Sequence, residues 1–240
     1  MAEPRLRPEV STIQRMGAVM LDAVIFDVDG TLVDTVDFHA EAWQRAFAHF
    51  GRDIEYAAIR SQIGKGGDQL LPVFLSKDDV DREGEKIENY RTDLIAREYL
   101  PRVKGFPQVR ALFDRLKADG KLIALASSCK ETELKVYKKA AGLEGLDLVE
   151  TTSEDAEKSK PHPDIFHAAL ARLKLPAKTC VVVGDSPFDA QAAAKAELRS
   201  TGVLCGGFPE FDLRSSGASQ IFEDPADILD HYRLWIDTLG

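Results

Sequence analysis

Two aspartates at the end of an apolar run are the residues best placed to do chemistry in this 240-residue sequence. The run 24–26 leads into Asp27, Asp29 follows two residues later, and 30–35 reads Gly-Thr-Leu-Val-Asp-Thr. Such a run predicts a buried strand, and ligands gather at the carboxyl ends of strands in open parallel α/β sheets. Two carboxylates that converge on one cleft repel each other unless a cation joins them, and a hard divalent ion, most simply Mg²⁺, suits oxygen ligands. Different surroundings would let one carboxylate act as a nucleophile and the other carry a proton.

Other segments carry groups that can bind phosphate or metal. Ser127 ends a second apolar run, Lys160 precedes a proline, and Asp185 and Asp189 follow a third apolar run. Each segment alone has a plainer interpretation: an acidic turn at Asp27, a helix N-cap at Ser127, a solvated charge at Lys160, or loop acids without a metal. Their order along the chain, each beside a predicted strand or helix, favours one shared site.

The four segments in this order resemble the motifs of the haloacid dehalogenase superfamily of phosphohydrolases. The resemblance implies that Asp27 attacks phosphorus to form an aspartyl-phosphate, and that Asp29 protonates the leaving group and later activates water. It also implies that Ser127 binds the transferring phosphoryl group, and that Lys160 rather than Lys158 neutralises the nucleophile and the phosphate.

The same resemblance implies a Mg²⁺ cofactor. Its expected ligands are the carboxylates of Asp27 and Asp185 and the backbone oxygen of Asp29. Asp189 is expected to support either this metal shell or Lys160. Ser128, next to Ser127, is a further candidate for contact with the substrate.

The elements that position these residues follow from alternating apolar runs and helical patterns. They predict an α/β fold with a doubly wound, Rossmann-like parallel sheet and an inserted helical cap. We expect residues 21–35 and 104–240 to form the core, 36–103 the cap, and 1–20 a flexible extension. The predicted strands cover 22–27, 122–127, 146–150, 179–184 and 201–204, and the predicted core helices cover 109–119, 131–141, 163–173, 190–196 and 225–239.

The predicted cap is mostly helical, with helices at 38–50, 70–75 and 87–100. The intervening loop 63–68 is too rich in glycine for a helix interior, and it either presents backbone amides and Lys65 to a ligand or forms a simple turn. In the family that the motifs resemble, a helical insertion is a mobile lid that provides substrate specificity and excludes water.

Cap residues are the candidates for contact with the rest of the substrate. The segment 37–43 resembles the first cap helix of the beta-phosphoglucomutase and sugar-phosphatase branch, and a lysine four residues before Tyr90 fits the same branch. For Trp43 and His39 the sequence leaves two roles open, packing in the cap core or contact with a ligand. The candidate substrate-binding residues are His39, Lys65, Gly66, Lys86 and Ser128.

Two features favour hydrolysis. The mutase pattern has an arginine just after the glycine loop, where this chain has Asp68 and Gln69. The segment around Asp185 is more similar to the phosphatases, including phosphoglycolate phosphatases. We therefore expect a Mg²⁺-dependent phosphatase that acts on a small phosphorylated metabolite. A sugar-phosphate mutase is the alternative, and a non-catalytic regulatory protein of the same fold is disfavoured by the retained acids, Ser127 and Lys160.

The composition of the chain limits the classes of molecule that it is expected to bind. The chain is 44% hydrophobic with a net charge of −9, so it can bury a core and is unsuited to general nucleic-acid or anionic-membrane binding. The cysteines at 129, 180 and 205 are widely spaced, which predicts reduced thiols. We see no apolar leader or membrane-spanning run and expect a cytoplasmic location. The sequence leaves the oligomeric state open.

Overall fold

A parallel sheet carries the fold, as the sequence predicts, and it has six strands in the part of the chain that the structure describes, where five are predicted. The computed structural model describes residues 21–239, so the extension predicted for residues 1–20 lies outside the described residues. The strand order is β3-β2-β1-β4-β5-β6. The strands are β1 (Ala23–Phe26), β2 (Leu122–Ala126), β3 (Val149–Thr151), β4 (Cys180–Gly184), β5 (Arg199–Val203) and β6 (Gln220–Phe222).

The register of the central strands brings the predicted site residues together. Phe26, the last residue of β1, pairs with Leu125 of β2 on one side and with Val183 of β4 on the other. Because parallel strands end at the same edge of the sheet, the residues that follow β1, β2 and β4 emerge side by side. The central strands β1 and β4 are buried throughout, which explains why they read as continuous apolar runs.

The helices flank the sheet or form the segment between β1 and β2. None of the helices within residues 21–239 has the length and apolar character needed to cross a membrane. The helices are α1 (Val36–His49), α2 (Tyr56–Arg60), α3 (Gly67–Phe74), α4 (Lys77–Leu94), α5 (Val109–Ala118), α6 (Glu131–Ala140), α7 (Asp164–Leu173), α8 (Pro187–Lys195), α9 (Glu210–Ser215), α10 (Pro225–Asp230) and α11 (Tyr232–Leu239).

Apolar clusters cover both faces of the sheet. On one face the Phe26 ring packs against the Phe113 ring of α5, with centroids 4.8 Å apart. The opposite face packs against α7 through Phe166. Helices α1 to α4 share a separate cluster that includes Trp43 and Ile87. This separate cluster is the physical basis on which we propose the division between core and cap.

Several element boundaries differ from the sequence prediction. Helix α4 begins ten residues earlier than predicted, because the Ser76 hydroxyl caps it by accepting a hydrogen bond from the Asp79 amide at 3.2 Å. Helix α8 begins at Pro187 rather than at residue 190, since Ser186 and Asp189 form a capping box. The predicted helix 225–239 is two helices that meet at His231. The elements α2, α9 and β6 are short and were not predicted.

Candidate active site

A buried lysine bridges two of the predicted acidic residues. Lys160 is 1% exposed, and its Nζ lies 2.5 Å from Asp27 Oδ1. The same Nζ forms an ion pair with Asp189 Oδ1 at 2.7 Å. Lys158, the alternative two residues earlier, is exposed. The structure therefore brings Lys160, and not Lys158, to the end of β1.

Carboxylates outnumber cations in this cluster. Asp27, Asp185 and Asp189 each place an oxygen within 4.8 Å of the others, and all are buried. Burial raises the pKa of Asp27 to about 7; Lys160 opposes this shift, and the neighbouring carboxylates of Asp189 and Asp29 add to it. Burial and the nearby carboxylates also raise the pKa of Asp185 well above its ordinary value. Buried oxygen donors with a single lysine as counter-charge fit a hard divalent cation such as Mg²⁺.

The acids differ in how their remaining oxygens are used. Asp189 Oδ2 accepts hydrogen bonds from the Ser186 amide at 3.1 Å and hydroxyl at 2.6 Å, so this side chain caps α8 as well as pairing with Lys160. The Asp29 carboxylate is not part of the acidic cluster among the described residues. A role of Asp29 as a metal ligand through its backbone oxygen stays a prediction.

The acidic cluster leads to a pH prediction. Between the ordinary pKa of 3.8 and the raised value of about 7, folded Asp27 binds more protons than the unfolded chain. The free energy of unfolding of the metal-free protein should therefore fall as pH rises through this window, and the raised pKa of Asp185 acts in the same direction. Melting temperatures at pH 6 and 8.5 test this, with Mg²⁺ stabilising more at pH 8.5. The variant Asp185→Asn separates this effect from that of unrelated titrating groups. Its melting temperature relative to wild type should rise as pH increases. The same difference from wild type at both pH values would contradict the prediction.

Bare backbone makes room for the Asp185 carboxylate. Thr31 Oγ1 donates a hydrogen bond to Asp185 Oδ1 at 3.0 Å. A Cβ added at Gly206 would lie 1.8 Å from Asp185 Oδ2, and one at Gly30 would lie 2.4 Å away. A carboxylate held between these glycines leaves no room for a side chain at either position.

Gly206→Ala should weaken metal binding without unfolding the protein. The new methyl group must displace the Asp185 carboxylate, and displaced support around a metal ligand typically lowers metal affinity by about 10- to 100-fold. The Mg²⁺ dependence of the melting temperature measures this effect. Gly84→Ala in α4 is the matched control, since its Cβ would approach no atom closer than 3.3 Å. Equal Mg²⁺ affinity in both variants would contradict the prediction.

Asp29 has surroundings unlike those of Asp27. Its Oδ1 accepts hydrogen bonds from Thr35 Oγ1 at 2.8 Å and from His39 Nε2 at 2.7 Å. Arg91 Nη2 lies 2.5 Å from His39 Nδ1. Arginine can only donate, so Nδ1 is the acceptor and Nε2 carries the hydrogen that points to Asp29.

This network sets the charge of Asp29. Burial opposes ionisation, but the His39 ring, the Thr35 hydroxyl and the Arg91 guanidinium outweigh it and hold the pKa of Asp29 below its ordinary value. Asp27 and Asp29 thus have pKa values displaced in opposite directions. Such a separation allows neighbouring carboxylates to take different chemical roles.

A cavity of about 80 Å³ lies between the end of the sheet and the cap helices. Asp27, Asp29 and Ser128 line it from the sheet side. Ser127 is fully buried below them, and its hydroxyl donates to Asp29 Oδ2 at 3.3 Å and accepts from the Cys129 amide at 3.1 Å. The predicted groups from β1 and β2 therefore meet at the floor of the cavity.

The cap loop forms part of the opposite wall. Lys65 and Gly66 line the cavity, as does His39 from α1. Lys65 Nζ donates to Gln62 Oε1 at 2.6 Å and lies 4.7 Å from the centre of the Phe188 ring, and burial lowers its pKa. In this structure Lys65 thus ties the cap loop to α8 in addition to facing the cavity.

The same loop rests against the segment that carries Lys160. Gly66 lies so close to Ser159 that an added Cβ would be 2.1 Å from its hydroxyl. The Ser159 amide also donates to Asp68 Oδ2 at 3.1 Å. Helix α3 begins at Gly67, so the last two residues of the predicted loop 63–68 are helical.

Lys86, a predicted substrate contact, is not among the residues that line the cavity. It is exposed on α4, whereas Glu88 and Arg91 line the cavity from the same helix. Residues three apart share a helix face, and Lys86 points elsewhere because it lies five residues, about 140° of helix rotation, from Arg91. The buried positions Gly84 and Ile87 mark the inward side, but the many charged residues of α4 obscured that pattern in the sequence.

Trp43 is both cap core and cavity wall. It is 3% exposed, stacks on Phe47 with ring centroids 5.7 Å apart, and lines the cavity. The Arg91 guanidinium carbon lies 5.5 Å from the centre of its ring. The two interpretations left open by the sequence are therefore compatible.

Cys129 also lines the cavity, but burial raises its pKa well above the ordinary value and disfavours a reactive thiolate.

Comparison with known proteins agrees with this geometry. The family model for haloacid dehalogenase-like hydrolases matches residues 24–203. The chain belongs to this family. It is 31% identical over 188 residues to the phosphoglycolate phosphatase of Yersinia pestis, covering 76% of this chain and 81% of that protein.

Two further matches extend the comparison. The crystal structure of a hydrolase from Pseudomonas syringae aligns with a TM-score of 0.79 at 27% identity, covering 89% of this chain and 98% of that one. The chain is also 31% identical over 214 residues to the chloroplastic protein SUPPRESSOR OF QUENCHING 1 of Arabidopsis thaliana, covering 87% of this chain. It spans only 20% of that longer relative, so the match concerns one part of it.

Proposed function

We propose that this family member is a Mg²⁺-dependent phosphatase that hydrolyses a small phosphorylated metabolite through an aspartyl-phosphate on Asp27. The observation that carries the proposal is the meeting of Asp27 and Lys160 in one buried acidic cluster, beside an Asp29 whose surroundings differ. The similarity to a phosphoglycolate phosphatase supports the phosphatase class.

Asp27 and Asp185 are the residues that would hold the cation, with Asp189 beside them and the backbone oxygen of Asp29 as a further ligand. When bound, a divalent cation would neutralise these carboxylates and the charge of the phosphoryl group. The pKa of about 7 for Asp27 without a cation leaves it partly protonated at neutral pH. Charge compensation is therefore required before Asp27 can act as a fully ionised nucleophile.

Three side chains of the protein take part in phosphoryl transfer. Asp27 attacks phosphorus, and Lys160 offsets negative charge on the nucleophile and on the phosphoryl oxygens. The buried Ser127 hydroxyl can turn its hydrogen from Asp29 to a phosphoryl oxygen, since its bond from the Cys129 amide uses only a lone pair. Asp27 lines the cavity, and Lys160 and Ser127 lie within hydrogen-bond distance of Asp27 and Asp29 respectively.

Asp29 is the proton carrier in this proposal. A phosphoryl group beside it adds negative charge, which raises its pKa and favours the protonated form that serves the leaving group. Once the leaving group has departed, ionised Asp29 takes a proton from the attacking water. His39 and Arg91 hold the carboxylate in place from the cap helices, so both steps depend on the cap lying against the core.

Phosphate release from p-nitrophenyl phosphate, with Mg²⁺ and with EDTA, tests the proposal. We expect release only with the divalent cation. In Asp29→Asn, hydrolysis of the phosphoenzyme should be slowed, so mass spectrometry should find phosphate trapped on Asp27. Phosphate on Asp29 in the wild-type protein would reverse the two roles, and cation-independent release would overturn the proposal.

The mutase alternative is tested separately. The position after the glycine loop holds Asp68, whose carboxylate accepts from the Ser159 amide, instead of an arginine able to hold a second phosphate. A hexose 1-phosphate given with a bisphosphate primer should therefore yield free phosphate. Efficient conversion to the 6-phosphate without phosphate release would establish the mutase instead.

A further inference from the structure

Glu88 is a carboxylate in the cavity wall that has no part in the proposed phosphoryl transfer. It lies on α4, one turn before Arg91, and both residues line the cavity. Within residues 21–239, the Glu88 side chain has no hydrogen-bond donor and no ion-pair partner. A partly buried carboxylate without a protein donor is free to accept hydrogen bonds from a ligand.

The absence of a side chain at Gly67 leaves space for the Glu88 carboxylate. A Cβ added at Gly67 would lie 2.6 Å from Glu88 Oε1 and 2.8 Å from Oε2. Both carboxylate oxygens therefore pack against the bare backbone at the start of α3. The glycine loop at this point accommodates an acidic group of the cap, in addition to the backbone amides and Lys65 that the sequence offers as ligand contacts.

Within residues 21–239, neither neighbouring cation forms an ion pair with Glu88. Arg91 contacts His39 Nδ1, and Lys65 contacts Gln62 and the Phe188 ring. The acidic group without such a partner at the cap end of the cavity is Glu88. A leaving group that carries a carboxylate would meet this negative charge, whereas hydroxyl groups could donate hydrogen bonds to it.

We propose that Glu88 determines specificity, selecting phosphate esters of small, hydroxyl-bearing alcohols over those whose leaving group carries a carboxylate. This proposal rests on the proposed phosphatase function. The cavity of about 80 Å³ supports small substrates, since a site of roughly 10–15 Å³ on this measure holds one water. The selection also separates this chain from its phosphoglycolate phosphatase relative, whose named substrate carries a carboxylate.

The test compares kcat/KM for glycerol 3-phosphate and 2-phosphoglycolate. The wild-type protein should prefer glycerol 3-phosphate by at least about tenfold, which corresponds to a modest charge repulsion in a partly buried cleft. Glu88→Gln keeps the shape and removes the charge, so it should reduce this ratio by about tenfold. Glu85→Gln, at an exposed position of the same helix, is the matched control and should leave the ratio unchanged.

A purely structural role at α3 would lower kcat/KM for both substrates equally and leave the ratio fixed, which overturns the proposal. A wild-type preference for 2-phosphoglycolate over glycerol 3-phosphate also overturns it. Calorimetric binding of both esters to Asp27→Asn repeats the comparison without turnover. Failure to hydrolyse p-nitrophenyl phosphate, with binding selectivity intact, would reject the phosphatase function and retain the role of Glu88.

Discussion

Asp27→Asn is expected to lower steady-state phosphate release by at least about a thousandfold, as loss of a catalytic nucleophile does in other hydrolases. The amide keeps the shape of the side chain but cannot form the aspartyl-phosphate, and it removes a charge from the cation site. The metal-free variant should fold at least as stably as wild type at pH 8.5. Its buried carboxylate, with a pKa raised to about 7, is destabilising when ionised.

Asp34→Asn is the matched control for this variant. Asp34 is an exposed aspartate in the same segment, seven residues after Asp27. Its substitution should leave both activity and melting temperature close to wild type. Turnover by Asp27→Asn at more than a few per cent of the wild-type rate would remove Asp27 from the nucleophile position.

Lys160→Met should lower both activity and stability. The variant leaves Asp27 and Asp189 buried without their shared cation, and breaking a buried pair from one side typically costs about 3–5 kcal/mol. Phosphate release should fall by about 100-fold or more, because charge stabilisation of the phosphoryl group is lost. Urea unfolding of the metal-free variant measures the first effect, and steady-state assays with saturating Mg²⁺ measure the second.

The pH dependence of this loss identifies its cause. Without Lys160, the buried carboxylates can relieve repulsion only by binding protons, so the loss of stability should be smaller at pH 6 than at pH 8.5. Lys158→Met replaces an exposed lysine two residues away and should change neither quantity. An equal loss at both pH values would indicate a packing defect instead of unpaired charge.

Part of the candidate site was accessible from the sequence because Asp27, Ser127 and Asp185 stand at the ends of predicted strands. Asp27 follows β1 and Asp185 follows β4, and the ends of neighbouring parallel strands converge whatever the details of packing. The fold class and family prediction are confirmed, and the register of β1 with its neighbours accounts for why this local information was sufficient. The short elements α2, α9 and β6 were missed because each has too few residues to show a clear hydrophobic period.

Only the tertiary structure showed which cap residues lie beside the candidate site at the end of the sheet. Whether Lys86 or Arg91 faces the cavity depends on the rotational phase of α4, and the charged residues along this helix conceal the phase in the sequence. The hydrogen bond that orients His39 toward Asp29 comes from a residue 52 positions away, and the clearance for Asp185 comes from Gly206. Strand ends fix the position of adjacent residues locally, but contacts between separate helices and loops depend on how whole surfaces pack. The sequence by itself therefore predicted the candidate site residues at the strand ends, while packing determined which cap residues line the cavity.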